Sequence, residues 1–384
     1  MRRLTSIFAI VFAALWCVLV FTIAANSAGP TIVVDVNSGK VLEHKDAFQR
    51  WYPASLTKLM TAYVVFRQVK AGKKSMQSPV TISVNAAKAP PSKMYFKAGS
   101  QLTLDNAMKI ILVKSANDVS VAIAESVAGS HAQFVAMMNA EAARLGMTDT
   151  RFINANGLPG KGQRTTARDM ALLGVALKRE FPQHEHYFSL EAINTGKKTY
   201  TNYNILIGRF PGANGMKTGF ICASGFNQVS SATRNGKTVV SVVLGAKDQE
   251  ERAVESARLL HKGLTTPGLA KPVLYSMRPY GKNRSQLVNL RSVVCTKEAR
   301  KARYGGRDVE GRMKLESAYI KPLRRKARAV RVGLSGRVPP GLASGKIPVP
   351  RSRPRNIASS AEPVASTQLK PAYNVPVPKA RPRL

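Results

Sequence analysis

The sequence predicts an α/β (α+β) fold, with an antiparallel sheet of N- and C-terminal strands packed with helices, a helical subdomain and a disordered basic C-terminal tail. Three observations carry this. Strand-like alternation occurs just after residue 30 and again from Met216 to Ala246, while the stretch between is rich in helix formers. At 44% hydrophobic over 384 residues the chain can bury a sizeable core. The last 68 residues, from Ser317, hold 15 Lys+Arg, one acid (Glu362) and 11 of the 22 prolines, a composition unable to offset its ordering entropy by burial.

Taken in order, the chain begins with Arg2 and Arg3 before an uncharged, mostly apolar run, Leu4–Ala25, followed by small residues up to Ala28. That is the layout of an export signal, with an uncleaved membrane anchor as the alternative over the same residues 1–28. Thr31–Val36 and Lys40–Lys45 flank Asn37-Ser38-Gly39 and predict a β-hairpin. Pro53 opens a helical pattern over Ser55–Val69. Val80–Val84 predicts a short strand, Leu104–Ala128 helix, and His131–Leu145 another helix. Thr166-Ala-Arg-Asp169 predicts a capping box opening a helix. After Gly215 come strands MKTGFI, FNQVSSAT and KTVVSVVLGA, the last two joined by the Asn235-Gly236 turn, and then a charged helix over Glu250–Leu264. Residues 266–320 are expected to form a short, β-rich extension (PVLYSM, LVNLRSVV), and 321–384 the disordered tail.

With 59 Lys+Arg against 21 Asp+Glu the chain carries +38, of which residues 270–384 hold +22 (27 basic, 5 acidic). So basic a chain implies an anionic partner. Nucleic acid is not expected if the chain is exported, and phospholipid head groups or wall polymers take its place. Five His and three Cys leave little for a structural metal, and no C-x-x-C, dinucleotide or P-loop pattern occurs. Outside the leader only Cys222 and Cys295 remain, and spacing alone does not establish a bond, so two free thiols is the simpler expectation.

Three triplets carry chemistry. Ser55-Leu-Thr-Lys58 is the sole S-x-x-K; on a helix i and i+3 share a face, so Lys58 can approach the Ser55 hydroxyl and, desolvated, take its proton. Ser115-Ala116-Asn117 places a hydroxyl and an amide in a helix-to-helix corner, with Ser83-Val84-Asn85 as a competitor at a strand end. Lys217-Thr218-Gly219 lies on a strand, where adjacent side chains normally face opposite sides, so a local twist is needed for both to serve one site. Gly219 lets a substrate backbone approach. Taken alone, Ser55-Leu-Thr-Lys58 reads more simply as a helix cap with a solvated lysine and Lys217-Thr218-Gly219 as a surface lysine on an edge strand, while Ser115-Ala116-Asn117 is also compatible with an ordinary interhelical hydrogen bond.

Their order, S-x-x-K, S-x-N, K-T-G, is the signature of penicillin-recognising serine enzymes. With YPASLTKLMTAYVVF, KSANDVSVAIAE, TTARDMALLGVAL, GMKTGFICASGFNQVSSA and ERAVESARLL, the chain over about residues 30–265 resembles the low-molecular-mass penicillin-binding proteins that are serine-type D-alanyl-D-alanine carboxypeptidases, peptidase family S11-like. The resemblance implies a β-lactamase/DD-peptidase-like fold, with residues 29–265 as the catalytic domain. It implies Ser55 as the acylated nucleophile, Lys58 as its base, Ser115 and Lys217 as proton carriers, and Asn117 on a substrate amide. It implies backbone N–H groups of Ser55 and Phe220 as the oxyanion hole, and Thr218, Gly219 and Arg252 around the substrate's terminal carboxylate. Substrates would be peptidoglycan stem peptides ending in D-Ala-D-Ala, β-lactams would acylate the same serine, and no metal or organic cofactor is needed. A DD-endopeptidase would use the same residues. A class A β-lactamase would need a glutamate that Phe152–Asp169 does not contain, and a non-catalytic envelope-binding scaffold would draw on the basic tail. Many family members end in an amphipathic helix; NVPVPKARPRL is too proline-rich for one, so the tail itself is expected to contact anionic head groups or wall polymers.

Overall fold

The computed structural model describes residues 29–305 and 315–339, all within one unit, Met1–Ile347. The export segment 1–28, part of the extension (306–314) and the tail from residue 340 lie outside the described residues.

Strands β1 (Thr31–Asp35) and β2 (Val41–Lys45) form the expected antiparallel hairpin. A 3₁₀ turn over Ala54–Leu56 runs straight into α1 (Thr57–Lys70), so the helix expected from Ser55 starts two residues later in α form. The strand expected to reach Val84 stops at Thr81 (β3, Pro79–Thr81), because the Ser83 hydroxyl accepts the Ala86 N–H and caps a four-residue helix, α2 (Val84–Ala87). That cap also removes Ser83-Val84-Asn85 from contention as the functional S-x-N. Next come β4 (Ser100–Thr103), α3 (Leu104–Val113), α4 (Asn117–Ala128), α5 (His131–Arg144) and α6 (Ala167–Glu180). Thr166 caps α6 by accepting the Asp169 N–H, but the Asp169 carboxylate binds Asp149 N, Thr150 Oγ1 and Arg168, so only half of the capping box forms. A small hairpin, β5 (Ala192–Asn194) and β6 (Thr199–Thr201), precedes β7 (Ala213–Ile221), β8 (Gly225–Arg234) and β9 (Lys237–Ala246), and α7 (Gln249–Thr265) follows.

The main sheet runs β2-β1-β9-β8-β7, antiparallel throughout, so the first strands close against the last as expected. Period-2 alternation gives it two apolar faces. On one, Ile32, Val34, Val240 and Val242 join the core that also takes in α1, α3, α4 and α6. On the other, Val33, Val239 and Val243 meet α7. Two glycines allow the helices to lie this close: a Cβ on Gly174 of α6 would stand 2.8 Å from Val240, and one on Gly263 of α7 2.6 Å from Val33.

Beyond α7 the structure departs from expectation. No strand forms among the described residues of 266–320: Leu274–Ser276 is a 3₁₀ turn, and two short helices follow, α8 (Arg291–Val294) and α9 (Lys297–Gly305). Cys222 and Cys295 are joined as a disulfide, with Cα atoms 5.6 Å apart, which corrects the expectation of free thiols. The expected disordered tail also begins too early. Residues 321–339 lie along the domain as a strap, with β10 (Ala329–Arg331) parallel to β5 and β11 (Gly336–Arg337) antiparallel to β4. Ile320 and Val332 are buried, and Arg325 forms a bidentate pair with Glu191. Strand addition draws on backbone N–H and C=O groups that every composition supplies, so a basic, proline-rich stretch can still be ordered.

Candidate active site

Three elements converge on one cleft of about 680 Å³. The first is the 3₁₀ turn ahead of α1. Ala54 has φ +49°, and the loop at Gly157 presses so close that a Cβ there would fall 1.8 Å from the Ala54 carbonyl oxygen. This tight entrance leaves Ser55 facing the cleft while α1 carries Lys58 inward to full burial. The second is the corner between α3 and α4. Ser115 takes φ +62°, which breaks the helix, and Asn117 N donates to the Ser92 carbonyl at 2.7 Å. The third is β7, the edge strand, whose Gly219 runs so near the 3₁₀ turn that a Cβ would stand 3.0 Å from Ser55 N.

The polar contacts form two serine–lysine pairs. Lys58 Nζ lies 3.0 Å from Ser55 Oγ, and donates to Asn117 Oδ1 at 2.8 Å and to the Asn156 carbonyl at 2.6 Å. Lys217 Nζ lies 3.0 Å from Ser115 Oγ and 2.9 Å from the Thr218 carbonyl. Both serines line the cleft, and both lysines sit behind them, almost wholly buried. Burial drives the Lys58 ammonium well below its ordinary pKa, and the Lys217 charge adds to this, against a smaller opposing pull from Asp118. Burial, then the Arg252 charge, lowers Lys217 to about 7. Arg252 is itself buried and falls to about 10, chiefly from desolvation.

Donor counting fits a neutral Lys58. An amine has two N–H donors and one lone pair. With its donors on Asn117 Oδ1 and the Asn156 carbonyl, a neutral amine turns its lone pair to the Ser55 O–H, whereas an ammonium would donate to Ser55 Oγ as its third contact.

Thr218, Gly219, Phe220 and Arg252 line the cleft beside Ser55, Ser115 and Asn117. Arg252 Nη2 donates to the Tyr203 carbonyl at 3.1 Å. The Asn117 amide group donates to the Pro90 carbonyl and accepts from Lys58, so the side chain ties the cleft floor together. Lys217 and Thr218 serve one site because the Lys217 chain turns back on its own strand to the Thr218 carbonyl.

The family profile described as D-alanyl-D-alanine carboxypeptidase, peptidase S11, matches residues 19–248. The chain belongs to this family. Among its relatives is the D-alanyl-D-alanine carboxypeptidase DacC of Escherichia coli K12, 39% identical over 239 residues that make up 60% of each chain. The chain therefore spans about 60% of the length of the curated relatives it matches first. Of solved structures, DacD of Francisella tularensis superposes with a TM-score of 0.60 at 33% identity, covering 62% of this chain and 70% of that one. Penicillin binding protein 5 of Haemophilus influenzae gives 0.59 at 35% identity, over 62% and 71%. The fold is thus that of the S11 penicillin-binding proteins, as the resemblance implied.

Some residues of this S11 cleft escaped the sequence. Asn156 acts through its backbone carbonyl, which no side-chain motif announces. Asp118 is buried and accepts the N–H groups of Met94, Tyr95 and Val119, fixing the loop over the S-x-N corner. Lys114 bonds Ser92 Oγ on one side and Tyr203 OH on the other, joining two walls of the cleft. For Asp118 and Lys114 the signal was their place directly beside Ser115-Ala116-Asn117.

Proposed function

We propose that this protein is a serine D-alanyl-D-alanine carboxypeptidase that removes the terminal D-alanine from peptidoglycan stem peptides. The observation that carries the reading is the pairing of two cleft-facing serines with two buried lysines, each at 3.0 Å. Neutral Lys58 takes the Ser55 proton as Oγ attacks the D-Ala–D-Ala carbonyl. The oxyanion forms against the backbone N–H groups of Ser55 and Phe220, on the turn and on the strand that Gly219 brings together. Lys217, near its titration point at neutral pH, passes a proton through Ser115 to the leaving D-alanine. Thr218 and Arg252 hold the terminal carboxylate, and Asn117 borders the peptide amide. Water then releases the shortened peptide from Ser55.

β-lactams are proposed to acylate the same serine and to leave slowly. Among the described residues no aspartate or glutamate lines the cleft, and Asp169 is committed to Asp149 N, Thr150 and Arg168. Rapid penicillin hydrolysis would need a carboxylate base in the cleft. A cross-link-cutting endopeptidase would use the same groups and is separated by substrate alone.

The protein is proposed to be exported to the periplasm or envelope through residues 1–28. No helix among the described residues is long and apolar enough to cross a membrane. The basic residues from 340 onward are proposed to contact anionic head groups or wall polymers, more weakly as salt rises.

The test is incubation with a fluorescent penicillin, adduct mapping by mass spectrometry, and a D-alanine release assay on a D-Ala–D-Ala-ended peptide. A lasting adduct on Ser55 with D-alanine release, both lost in Ser55→Ala, is the expected result. An adduct without release would move the assignment to another substrate, and no reaction from folded protein would overturn it.

A further inference from the structure

Next to the cleft lies a construction that the mechanism does not use. β7 ends at Ile221, and Cys222 directly follows. Its disulfide to Cys295 spans 73 residues of sequence and fastens α8 and α9 to the turn between β7 and β8. The contact is close beyond the sulfur bridge. Leu290 N donates to the Ala223 carbonyl at 3.0 Å, and a Cβ on Gly225 would stand 3.1 Å from Leu290 Cδ1. α9 then places the Arg303 guanidinium 5.5 Å from the centroid of the Phe226 ring, and Arg303 Nη1 donates to the Val294 carbonyl.

Phe226 belongs to the cleft. It lies with its centroid 4.2 Å from that of Phe220, and the Arg252 guanidinium also sits 5.9 Å from the Phe226 centroid. So one aromatic ring touches the side chain of a proposed oxyanion-hole residue, the proposed carboxylate-binding arginine, and a cation delivered by the disulfide-bound helix. Arg252 has little else to orient it: its Nη2 reaches the Tyr203 carbonyl, and its buried Nε has no hydrogen-bond partner among the described residues. A cation against an aromatic face is attracted to it and resists displacement.

We propose that Arg303, anchored through Cys222–Cys295, is a positioning residue that holds Phe226 and thereby Arg252 in the geometry that binds the substrate's terminal carboxylate. The proposal rests on the carboxypeptidase reading for its substrate. It makes the region after α7 part of the binding wall, and it makes substrate affinity depend on the disulfide. The carboxylate is unchanged through acylation and departs with the D-alanine, so the contact stabilises the bound substrate and the acylation transition state alike. Its loss should therefore raise KM and leave kcat nearly unchanged.

The experiment compares the full-length wild type with Arg303→Gln, Arg303→Lys and the double variant Cys222→Ser/Cys295→Ser. KM and kcat are measured on a D-Ala–D-Ala-ended peptide, alongside hydrogen exchange by mass spectrometry. For Arg303→Gln and the cysteine variant the expected result is a KM raised about three- to tenfold, kcat within about twofold, and faster exchange confined to the segments around residues 203 and 222–226. Arg303→Lys should recover most of the KM. Unchanged KM in both variants overturns the proposal. So does a matching fall of kcat with exchange raised throughout the molecule, which is the mark of a merely structural cross-link. If the wild type releases no D-alanine, the carboxypeptidase reading falls, and the clamp is judged on exchange: a local increase upholds it and none overturns it.

Discussion

The cleft floor and the C-terminal strap use the same chemistry, a basic side chain against a polar partner, to opposite ends. At the floor, Lys58 and Lys217 are buried with no carboxylate among the described residues in hydrogen-bonding contact, and each is pushed toward its neutral form. On the strap, Arg325 lies toward solvent and forks onto Glu191, which also accepts the Arg328 N–H; the Glu191 carboxyl is held down at about 2, first by the Arg325 hydrogen bonds. Desolvation wins at the floor because the cations have only neutral oxygens to replace water. Pairing wins at the strap because the Glu191 oxygens meet a charged guanidinium and a backbone N–H while the Arg325 end stays in solvent, which outweighs the carboxylate's partial desolvation. The first arrangement costs stability and supplies the neutral amine that the proposed mechanism needs as a base; the second adds modest stability and supplies none.

The comparison breaks most sharply at Lys58. Lys58→Met should lower Ser55 acylation by a fluorescent penicillin about 10³- to 10⁴-fold while the protein stays folded. Acylation at near the wild-type rate would remove Lys58 as the base.

Lys217→Met should act on both sides. Activity on the peptide should fall about 10²-fold as the Ser115 proton path is broken. Stability at neutral pH should rise by roughly 1–2 kcal/mol in denaturant titrations. The sign follows from linkage: between about 7 and the ordinary 10.5 the unfolded chain holds a proton at this lysine that the folded one does not. In that window the wild type gains stability as pH rises, so the advantage of the variant should narrow toward pH 10.5. A variant less stable at every pH would show that the lysine's hydrogen bonds outweigh its desolvation.

The same pair sets the pH dependence of acylation. The rate should fall about tenfold per pH unit on the acid side, as Lys58 takes up a proton. The Lys217 charge helps keep Lys58 low, so Lys217→Met should move this limb to higher pH. A limb that stays in place would mean the two lysines do not sense each other.

How much of this was legible in the sequence differs by region for a physical reason. The S-x-x-K, S-x-N and K-T-G groups could be read because their spacing carries chemistry: Ser55 and Lys58 share a face one turn apart, and Gly219 is where a side chain would strike Ser55 N. The main sheet was legible because alternation at Val239–Leu244 reports two buried faces. Asn156 was not, since a backbone carbonyl has no residue type. Nor was the strap, where the short apolar group Val330, Val332 and Leu334 sits in a basic, proline-containing stretch and the ordering comes from pairing with β5 and β4. The Cys222–Cys295 bond depends on α8 returning to the turn after β7, a tertiary fact that spacing does not encode.

The smallest effect expected tests the strap. A chain ending after Ile320 should lose the edge partners of β5 and β4 and melt at a lower temperature than one ending after Pro339. Glu191→Gln addresses the ion pair alone. Glu191 is held at about 2 against an ordinary 4.5, so the stability it contributes is complete above about 4.5 and disappears as pH falls toward 2. The variant should therefore exchange faster than wild type through Ala329–Arg331 at neutral pH, and the two should converge in acid. The difference should also shrink with salt, because the Arg325 end of the pair stands in solvent. Since the Glu191 carbonyl accepts the Asn202 N–H, one residue from the Tyr203 that holds Arg252, a loosened strap should reach the cleft only weakly, as a KM change of less than about twofold. A larger change would mean that strap and cleft floor are not separate regions, and that the carboxylate-binding wall is braced from Tyr203 as firmly as from Phe226.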